Sequence, residues 1–313
     1  MKVLKDIDAA YKKISPYIHN TPVLSSHMLN EMTGAELYFK CENFQKMGAF
    51  KMRGAMHAVL QLSKEQQQKG VVTHSSGNFA QALALAARQL GIKAYIVMPE
   101  NAPQVKKNAV KGYGGIITEC KATLEARETT ALQIQEEKGA TFVHPFNDFN
   151  VILGNATAGK ELLETHPDLD GIVVPIGGGG LISGIALSTQ AWNPNCKVIG
   201  AEPVNVDDAY RSFLSGKIEH NITTDTIADG LKTSLGDITF AIIRNYVDSI
   251  IRVTEDEIKA AMFLIWERMK IIVEPSSAVT LAAVLKSKAE FKGKKTGLIL
   301  SGGNVDLMKL PFI

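Results

Sequence analysis

One pattern repeats along this chain: a short apolar run, a turn, and then a stretch with the spacing of an amphipathic helix. It occurs where GVVTHSSGN precedes FAQALALAARQLGI, where KAYIVMP precedes APQVKKNAVKGYG, and where GIVVPIGGGG precedes LISGIALSTQAWN. Short apolar runs that alternate with helices are typical of parallel strands buried on both faces. The pattern therefore predicts an α/β fold, with open twisted parallel sheets that carry helices on both faces.

Length suggests how these units are divided. The chain has 313 residues, which suits one large domain or two lobes that share an interface. We predict a small domain at residues 69–146 and a large, discontinuous domain formed by residues 1–68 and 147–313. Near the end, VTEDEIKAAMFLIWERMK predicts a helix, with Thr254 as its N-cap and Glu257 completing a capping box.

Composition excludes several classes of function. The formal net charge of +2 creates no field that would attract nucleic acid or a membrane surface, and no apolar window is long enough to span a bilayer. The first residues lack the apolar stretch of a secretory signal. Cys41, Cys120 and Cys196 are scattered, which argues against a disulfide framework or a thiolate zinc site. We therefore expect a cytoplasmic protein with no nucleic-acid or membrane partner.

Four consecutive glycines, Gly177–Gly180, stand between an apolar run and a predicted helix. Residues without a Cβ let the backbone approach a ligand closely, and the N–H groups at a helix start favour an anion such as phosphate. No GK[ST] follows, so the loop is not a Walker loop, and the dinucleotide fingerprint is only weakly matched by AEP further on. The sequence thus favours a phosphate cradle over a flexible connector.

Two other loops also follow apolar runs. Ser75, Ser76, Gly77 and Asn78 offer hydroxyls, an amide and helix-start N–H groups, which suit either a carboxylate cradle or an ordinary N-cap. Ser301 ends the run LILS and can donate a hydrogen bond to a buried acceptor, although a turn serine is the simpler interpretation. The seven histidines include no HExxH and no close pair, so each is interpreted as structural or surface-exposed.

Taken together, these loops resemble the fold-type II pyridoxal phosphate enzymes, which share a tryptophan synthase β-like fold. The resemblance is to the serine racemase and serine/threonine dehydratase group. The matching segments are GAFKMRGA, SSGNFAQA, PIGGGGLISG, AEPVNVDD, TIADGLK, EPSSAV and LSGGNVD. They occur in the family's order between residues 42 and 306, so the resemblance covers nearly the whole chain.

The resemblance implies a role for each matching residue. Lys51 would bind the cofactor covalently and later remove the Cα proton of the substrate, while Ser76 would act as a second base on the opposite face. The implied cofactor-binding residues are Phe50, Lys51, Asn78, Gly177, Gly178, Gly179, Gly180, Leu181 and Ser301. The implied substrate-binding residues are Ser75, Ser76, Gly77 and Asn78.

The implied reaction is β-elimination of water from L-serine, L-threonine or threo-3-hydroxyaspartate, which gives a keto acid and ammonia. Only a primary amine such as that of Lys51 forms a reversible imine with the cofactor aldehyde, and burial brings its pKa toward neutrality. A neutral Ser301, in place of a carboxylate, would favour loss of a leaving group from Cβ. A proton returned by Ser76 would give racemisation instead.

The segment AEPVNVDD resembles the divalent-cation loop of serine racemases. Glu202 and Asp208 would be side-chain ligands, and Val206 would contribute its backbone carbonyl. Hard oxygen ligands suit Mg²⁺, Ca²⁺ or Mn²⁺. A solvated acidic loop is the alternative interpretation of these residues.

Two positions depart from the family's pattern. Ala49 replaces the usual serine before the aromatic residue, and Phe79 replaces the usual histidine of the carboxylate loop. If the substrate has a second carboxylate, Arg53 and Arg127 are the candidate partners.

The sequence favours three other functions less. They are a β-replacement synthase of the cysteine synthase type, a nucleotide-dependent oxidoreductase or kinase, and a non-catalytic binding protein. We expect a small amino-acid substrate and a homodimer, and a nucleotide effector at the subunit interface stays open.

Overall fold

The computed structural model describes residues 2–312, which form ten strands in two sheets. The strands are β1 (Val23–Leu24), β2 (Glu36–Cys41), β3 (Val71–His74), β4 (Ala94–Pro99), β5 (Ile116–Cys120), β6 (Thr141–Phe142), β7 (Gly171–Pro175), β8 (Lys197–Pro203), β9 (Ser249–Val253) and β10 (Lys295–Leu300). One sheet has the strand order β1-β2-β10-β7-β8-β9, and the other has the order β5-β4-β3-β6.

Helices connect most of these strands and cover the sheets. They are α1 (Lys2–Ile14), α2 (His27–Thr33), α3 (Lys51–Leu60), α4 (Lys64–Lys69), α5 (Asn78–Gln89), α6 (Gln104–Gly112), α7 (Leu124–Lys138), α8 (Phe149–Thr165), α9 (Gly180–Trp192), α10 (Asp208–Ser215), α11 (Asp237–Tyr246), α12 (Glu255–Met269), α13 (Pro275–Lys286) and α14 (Lys288–Phe291). Within residues 2–312, no helix combines the length and apolar character needed to cross a bilayer.

The predicted parallel pairing is confirmed for every strand pair except one. β1 pairs antiparallel with β2 at the edge of the six-stranded sheet, with Val23 opposite Lys40. An antiparallel neighbour needs no crossover over the face of the sheet, and the connection from β1 to β2 contains only the short helix α2. A strand of two residues has no detectable periodicity, which is why the sequence pattern did not reveal it.

The four-stranded sheet uses only strands between residues 71 and 142, inside the segment predicted as the small domain. Its hydrophobic core nevertheless extends beyond that segment. Met52 and Met56 of α3 lie fully buried in the same apolar cluster as Val71, Phe79 and Ile96. The helix that begins with Lys51 therefore packs against α5, which in turn covers β3 and β4 of the smaller sheet, and the exact domain boundaries stay a prediction.

The predicted capping box of α12 is confirmed. The Thr254 hydroxyl accepts a hydrogen bond from the Glu257 N–H at 3.3 Å, and the Glu257 carboxylate accepts one from the Thr254 N–H at 2.7 Å. These reciprocal bonds satisfy N–H groups that have no partner within the helix.

The three loops that the sequence predicts to bind a ligand all follow the carboxyl ends of parallel strands. β3 ends at His74 before Ser75, β7 ends at Pro175 before the glycines, and β10 ends at Leu300 before Ser301. Ligands in parallel α/β sheets bind beyond these ends. The fold therefore directs the three loops toward the position expected for a site.

Candidate active site

Lys51 is the first residue of α3 and is half-buried. Its Nζ donates a hydrogen bond to the Pro145 carbonyl at 3.0 Å, and it lies 4.9 Å from the ring centroid of Phe50 and 5.7 Å from that of Phe79. Burial lowers the pKa of Lys51 to about 8, although the carboxylate of Glu274 acts in the opposite direction. Part of this amine, roughly a tenth at pH 7, is thus neutral, as a nucleophile or base requires.

Ser301 lies beside the residues that precede the lysine. Its carbonyl accepts a hydrogen bond from the Phe50 N–H at 2.9 Å, and Ala49 forms an isolated bridge with Gly302. The Ser301 side chain is 3 % exposed, and its hydroxyl lies 3.1 Å from the hydroxyl of Ser277. The strand therefore ends in a buried neutral hydroxyl rather than a carboxylate.

The predicted carboxylate loop connects β3 to α5. Ser75, Ser76 and Gly77 are half-buried, and the Ser75 N–H donates to the Val97 carbonyl at 3.2 Å. A Cβ added to Gly77 would meet no atom within 4 Å, so this part of the loop borders open space. α5 begins at Asn78, where the first N–H groups have no carbonyl one turn earlier to accept them. The loop can therefore offer donors to an anion.

Glu274 is a site residue that sequence reasoning missed. The Asn78 side-chain amide donates to both of its carboxylate oxygens at 3.1 Å, and the Asn304 N–H donates to one of them at 3.2 Å. The side chain of Asn304 also donates to the Asn78 oxygen at 2.9 Å. Burial and the charge of Asp229 raise the pKa of Glu274 to about 7. Its segment, EPSSAV, is among those that match the family, but an acidic residue at the N-cap position of α13 did not indicate a role in the site.

The glycine loop turns tightly between β7 and α9, and all four glycines are buried. Gly179 has φ +85°, a conformation that side chains disfavour. A Cβ at Gly178 would lie 2.5 Å from Cδ1 and Cδ2 of Phe146, and one at Gly177 would lie 2.9 Å from the Cα of Leu231. Close packing therefore requires glycine at these positions. The first turn of α9 includes Leu181, and its free N–H groups suit a phosphate.

The turn after β6 brings the lysine and the glycine loop together. Pro145 accepts the hydrogen bond from Lys51, and the next residue, Phe146, packs on Gly178. The site offers an amine for the aldehyde of pyridoxal phosphate, a buried hydroxyl for its ring nitrogen, and a loop lined by N–H groups for its phosphate. The residues present therefore fit this cofactor.

Glu202 and Asp208 are both fully buried and close enough to repel each other. Glu202 accepts hydrogen bonds from the N–H groups of Ala209 and Tyr210 at 3.0 and 2.9 Å, and one oxygen of Asp208 accepts from the Leu235 N–H at 3.0 Å. The other oxygen of Asp208 has no partner within the described residues.

Burial raises the pKa of both carboxyl groups, to about 7 for Asp208. Val206 is buried in the turn between them. Residues 2–312 hold no cluster of three or more acidic, histidine or cysteine side chains that would suit a metal. Two carboxylates with one orphaned oxygen fit a hard cation that keeps several waters.

The prediction that Arg53 could hold a substrate carboxylate is wrong. Its guanidinium is fully buried and pairs with Glu42 at 2.7 Å and with Glu161 at 2.7 Å. The charge of Arg53 is therefore already neutralised by two carboxylates within the core. Arg127 lies on α7, is partly exposed, and is near enough to His74 for its charge to help lower the pKa of that histidine.

Comparison with known proteins gives consistent matches over the whole chain. The family described as "Pyridoxal-phosphate dependent enzyme" matches residues 14–302. Serine racemase from Dictyostelium discoideum is 55% identical, with 99% of this chain and 97% of that protein covered. Beta-hydroxyaspartate dehydratase from Paracoccus denitrificans is 51% identical, with 98% of each chain covered. The crystal structure of the Dictyostelium discoideum serine racemase superposes with a TM-score of 0.93, covering 97% of this chain and 99% of that chain. These likenesses confirm the predicted fold class.

Proposed function

The chain belongs to the family of pyridoxal-phosphate dependent enzymes, and on that premise we propose that it is a hydroxyamino acid ammonia-lyase and racemase. Its substrates would be L-serine, L-threonine or threo-3-hydroxyaspartate. The observation that carries the proposal is the half-buried Lys51 amine beside a strand that ends in the buried hydroxyl of Ser301. The relatives named for serine racemisation and for hydroxyaspartate dehydration support the substrate class.

Lys51 would hold the cofactor and move the Cα proton. Pyridoxal phosphate supplies, when bound, the electron sink that stabilises negative charge at the substrate Cα. With a pKa of about 8, roughly a tenth of the free Lys51 amine is neutral at pH 7 and able to accept a proton. The Pro145 carbonyl, 3.0 Å from Nζ, gives the free amine a fixed partner.

Ser301 would determine the fate of the substrate after proton removal. A carboxylate near the ring nitrogen would keep that nitrogen protonated, whereas a buried serine hydroxyl does not. Negative charge at Cα would then favour loss of the β-hydroxyl, which would leave as water with the proton that Lys51 had taken from Cα. The neighbour of the Ser301 hydroxyl at 3.1 Å is the hydroxyl of Ser277, which is equally neutral and supports this role.

Ser76 would return a proton from the opposite side of Cα, which gives racemisation. Its place in the half-buried loop between β3 and α5 supports this role. We expect Ser76→Ala to lose racemisation, and elimination from D-serine, before it loses elimination from L-serine. Chiral chromatography of products from each enantiomer measures all three rates, and an unaltered racemisation rate would remove Ser76 from the mechanism.

Arg127 and His74 are the groups we propose for a second substrate carboxylate. His74 ends β3 immediately before the carboxylate loop, and Arg127 acts on it electrostatically from α7. A dicarboxylic substrate such as threo-3-hydroxyaspartate would gain from this cation. Arg127→Gln is expected to raise KM for threo-3-hydroxyaspartate at least about tenfold and to leave KM for L-serine within about twofold.

A divalent cation, Mg²⁺, Ca²⁺ or Mn²⁺, is part of the proposal. Glu202, Asp208 and the Val206 carbonyl would hold it, and the orphaned Asp208 oxygen supports this assignment. Leu235, whose N–H binds Asp208, also lies against Gly179, at 2.9 Å from the position of an added Cβ. The cation would therefore stabilise the glycine loop rather than take part in the chemistry.

The proposal also includes a homodimer in the cytoplasm. Two apolar side chains on neighbouring segments are exposed, Met28 by 46% and Ile272 by 47%. The Arg268 guanidinium contacts the Met28 sulfur, and the Asn43 side chain donates to the Ile272 carbonyl. The free thiols of all three cysteines are compatible with a reducing compartment. Light scattering tests the dimer, and activity with and without ATP tests the nucleotide effector, which stays a prediction.

One panel of assays tests the proposed function. The purified enzyme is supplied with L-serine, D-serine, L-threonine and threo-3-hydroxyaspartate, with and without Mg²⁺, and keto acid and enantiomers are quantified. Keto acid formation from at least one substrate is expected. A protein that forms products from serine only when sulfide is added would be a β-replacement synthase, and the proposal would fail.

A further inference from the structure

The turn formed by Pro145, Phe146 and Asn147 contacts three parts of the site. The Pro145 carbonyl accepts from Lys51 Nζ at 3.0 Å, and the Phe146 ring packs on Gly178. The Asn147 side chain donates to the Asp237 carboxylate at 2.6 Å and accepts from the Ile238 N–H at 3.0 Å, which ties it to the start of α11. A shift of this turn would therefore change the position of the lysine amine relative to the glycine loop.

His144 holds the turn in place. Its Nδ1 accepts hydrogen bonds from the backbone N–H of Asn147 at 2.9 Å and of Phe146 at 3.3 Å. The ring is also fixed by its neighbours, because it contacts Phe146 edge-on, with centroids 4.5 Å apart, and lies 6.4 Å from His74. One imidazole nitrogen thus satisfies two N–H groups of the turn, and aromatic packing fixes the direction in which that nitrogen points.

The hydrogen bonds require a neutral imidazole with its proton on Nε2. A protonated imidazole, or one with its proton on Nδ1, has no lone pair for the two N–H groups. Burial, together with the charges of His74 and Lys51, lowers the pKa of His144 to about 4. The ring therefore stays an acceptor throughout the physiological range.

We propose that His144 is a positioning residue, whose unprotonated Nδ1 fixes the Pro145–Asn147 turn and thereby fixes the Lys51 amine relative to the glycine loop. The inference rests on the proposed function, in that the lysine and the glycine loop hold one cofactor between them. His144 acts through Pro145 and Phe146 and needs no contact with the substrate. Its effect should therefore fall on kcat and on cofactor retention more than on KM, because the Ser75–Asn78 loop is not held by this turn.

Two amide substitutions test which atom of the ring matters. In His144→Asn, the side-chain oxygen takes the place of Nδ1 and can accept the same two N–H groups. In His144→Gln, the oxygen lies one methylene further out, near the position of Nε2. We expect His144→Asn to keep kcat within about threefold of wild type and His144→Gln to lose about tenfold or more, since small displacements of reacting groups have large effects on rate. His27→Gln, at a histidine whose side chain is 86% exposed, serves as the control.

Two further readouts do not depend on turnover. The half-time for loss of pyridoxal phosphate during dialysis, followed by absorbance, should match wild type for His144→Asn and be several-fold shorter for His144→Gln. In ¹⁵N-histidine-labelled wild-type protein, NMR should show His144 with an unprotonated Nδ1 and a protonated Nε2. This tautomer should persist between about pH 6 and 8. These measurements remain informative if none of the assayed amino acids proves to be the substrate.

The two variants separate the possible outcomes. A Gln variant impaired in kcat and cofactor retention, beside an Asn variant close to wild type, supports the assignment. Equal behaviour of the two variants, whether both active or both impaired, overturns it, because the position of the acceptor would then be irrelevant. If neither variant folds, as judged by circular dichroism, the NMR result on wild type decides, and a proton on Nδ1 overturns the proposal.

Discussion

A methyl group on Gly178 is the smallest change that tests the glycine loop. In Gly178→Ala, the new Cβ would lie 2.5 Å from two carbons of the Phe146 ring, whereas carbon atoms in contact are separated by about 3.5–4.0 Å. The ring or the loop must therefore move by about 1 Å. Overpacking of this kind in a buried region costs about 1–3 kcal/mol of folding free energy.

The cost should appear in stability and in cofactor binding together. For a chain of this size, about 1–3 kcal/mol corresponds to a fall in Tm of roughly 2–5 °C. Because Phe146 is joined to Pro145, which accepts the hydrogen bond from Lys51, displacement of the ring also disturbs the lysine. We expect the Kd for pyridoxal phosphate to rise at least about tenfold, measured by absorbance titration of the apoenzyme.

Gly77→Ala is the matched control. It makes the same chemical change in another loop of the site, but its Cβ would meet no atom within 4 Å. Its Tm should lie within about 1 °C of wild type, since a methyl in open space causes no repulsion. If Gly178→Ala melts with wild type and binds the cofactor as tightly, the packing argument for the glycine loop is refuted.

Three other outcomes are expected from charges in the structure. With a pKa of about 8 for Lys51, kcat should rise about fivefold from pH 7 to 8 as the neutral amine increases, and level off above about pH 9; a flat profile would contradict this role. Glu42→Gln should cost about 3–5 kcal/mol in urea unfolding, because it leaves the buried Arg53 charge incompletely paired; a loss below about 1 kcal/mol would contradict the assignment. Mg²⁺ at about 100 times its Kd should stabilise wild type by about 2.7 kcal/mol and leave the Tm of Asp208→Asn unchanged; an equal gain in both proteins would remove the cation site.

The sequence predicted most of the fold because parallel strands and their helices leave local periodic patterns. The runs that became β3, β7 and β10 each ended in Gly- or Ser-rich turns, and each of these turns lies at the carboxyl end of its strand. Lys51 and Ser301, far apart in the chain, are brought together because the Phe50 N–H binds the Ser301 carbonyl. The antiparallel β1 was too short to give a signal.

The parts of the site that the sequence did not reveal depend on contacts between distant residues. Glu274 became part of the site through Asn78, which is 196 residues away in the chain. Arg53 was mistaken for a substrate partner because its ion pair with Glu161 spans 108 residues. His144 gave no signal as an isolated histidine, since its importance lies in the backbone turn that it holds. Local propensity contains no information about such pairings.

The proposed function depends on covalent attachment of the cofactor at Lys51, and reductive trapping tests this attachment most directly. The purified enzyme is saturated with pyridoxal phosphate, reduced with sodium borohydride, digested, and mapped by mass spectrometry. Attachment at Lys51 predicts a single stoichiometric phosphopyridoxyl group on that residue, and none in a Lys51→Arg variant treated in the same way. A label on another lysine, or a wild-type protein that takes up none, would contradict it.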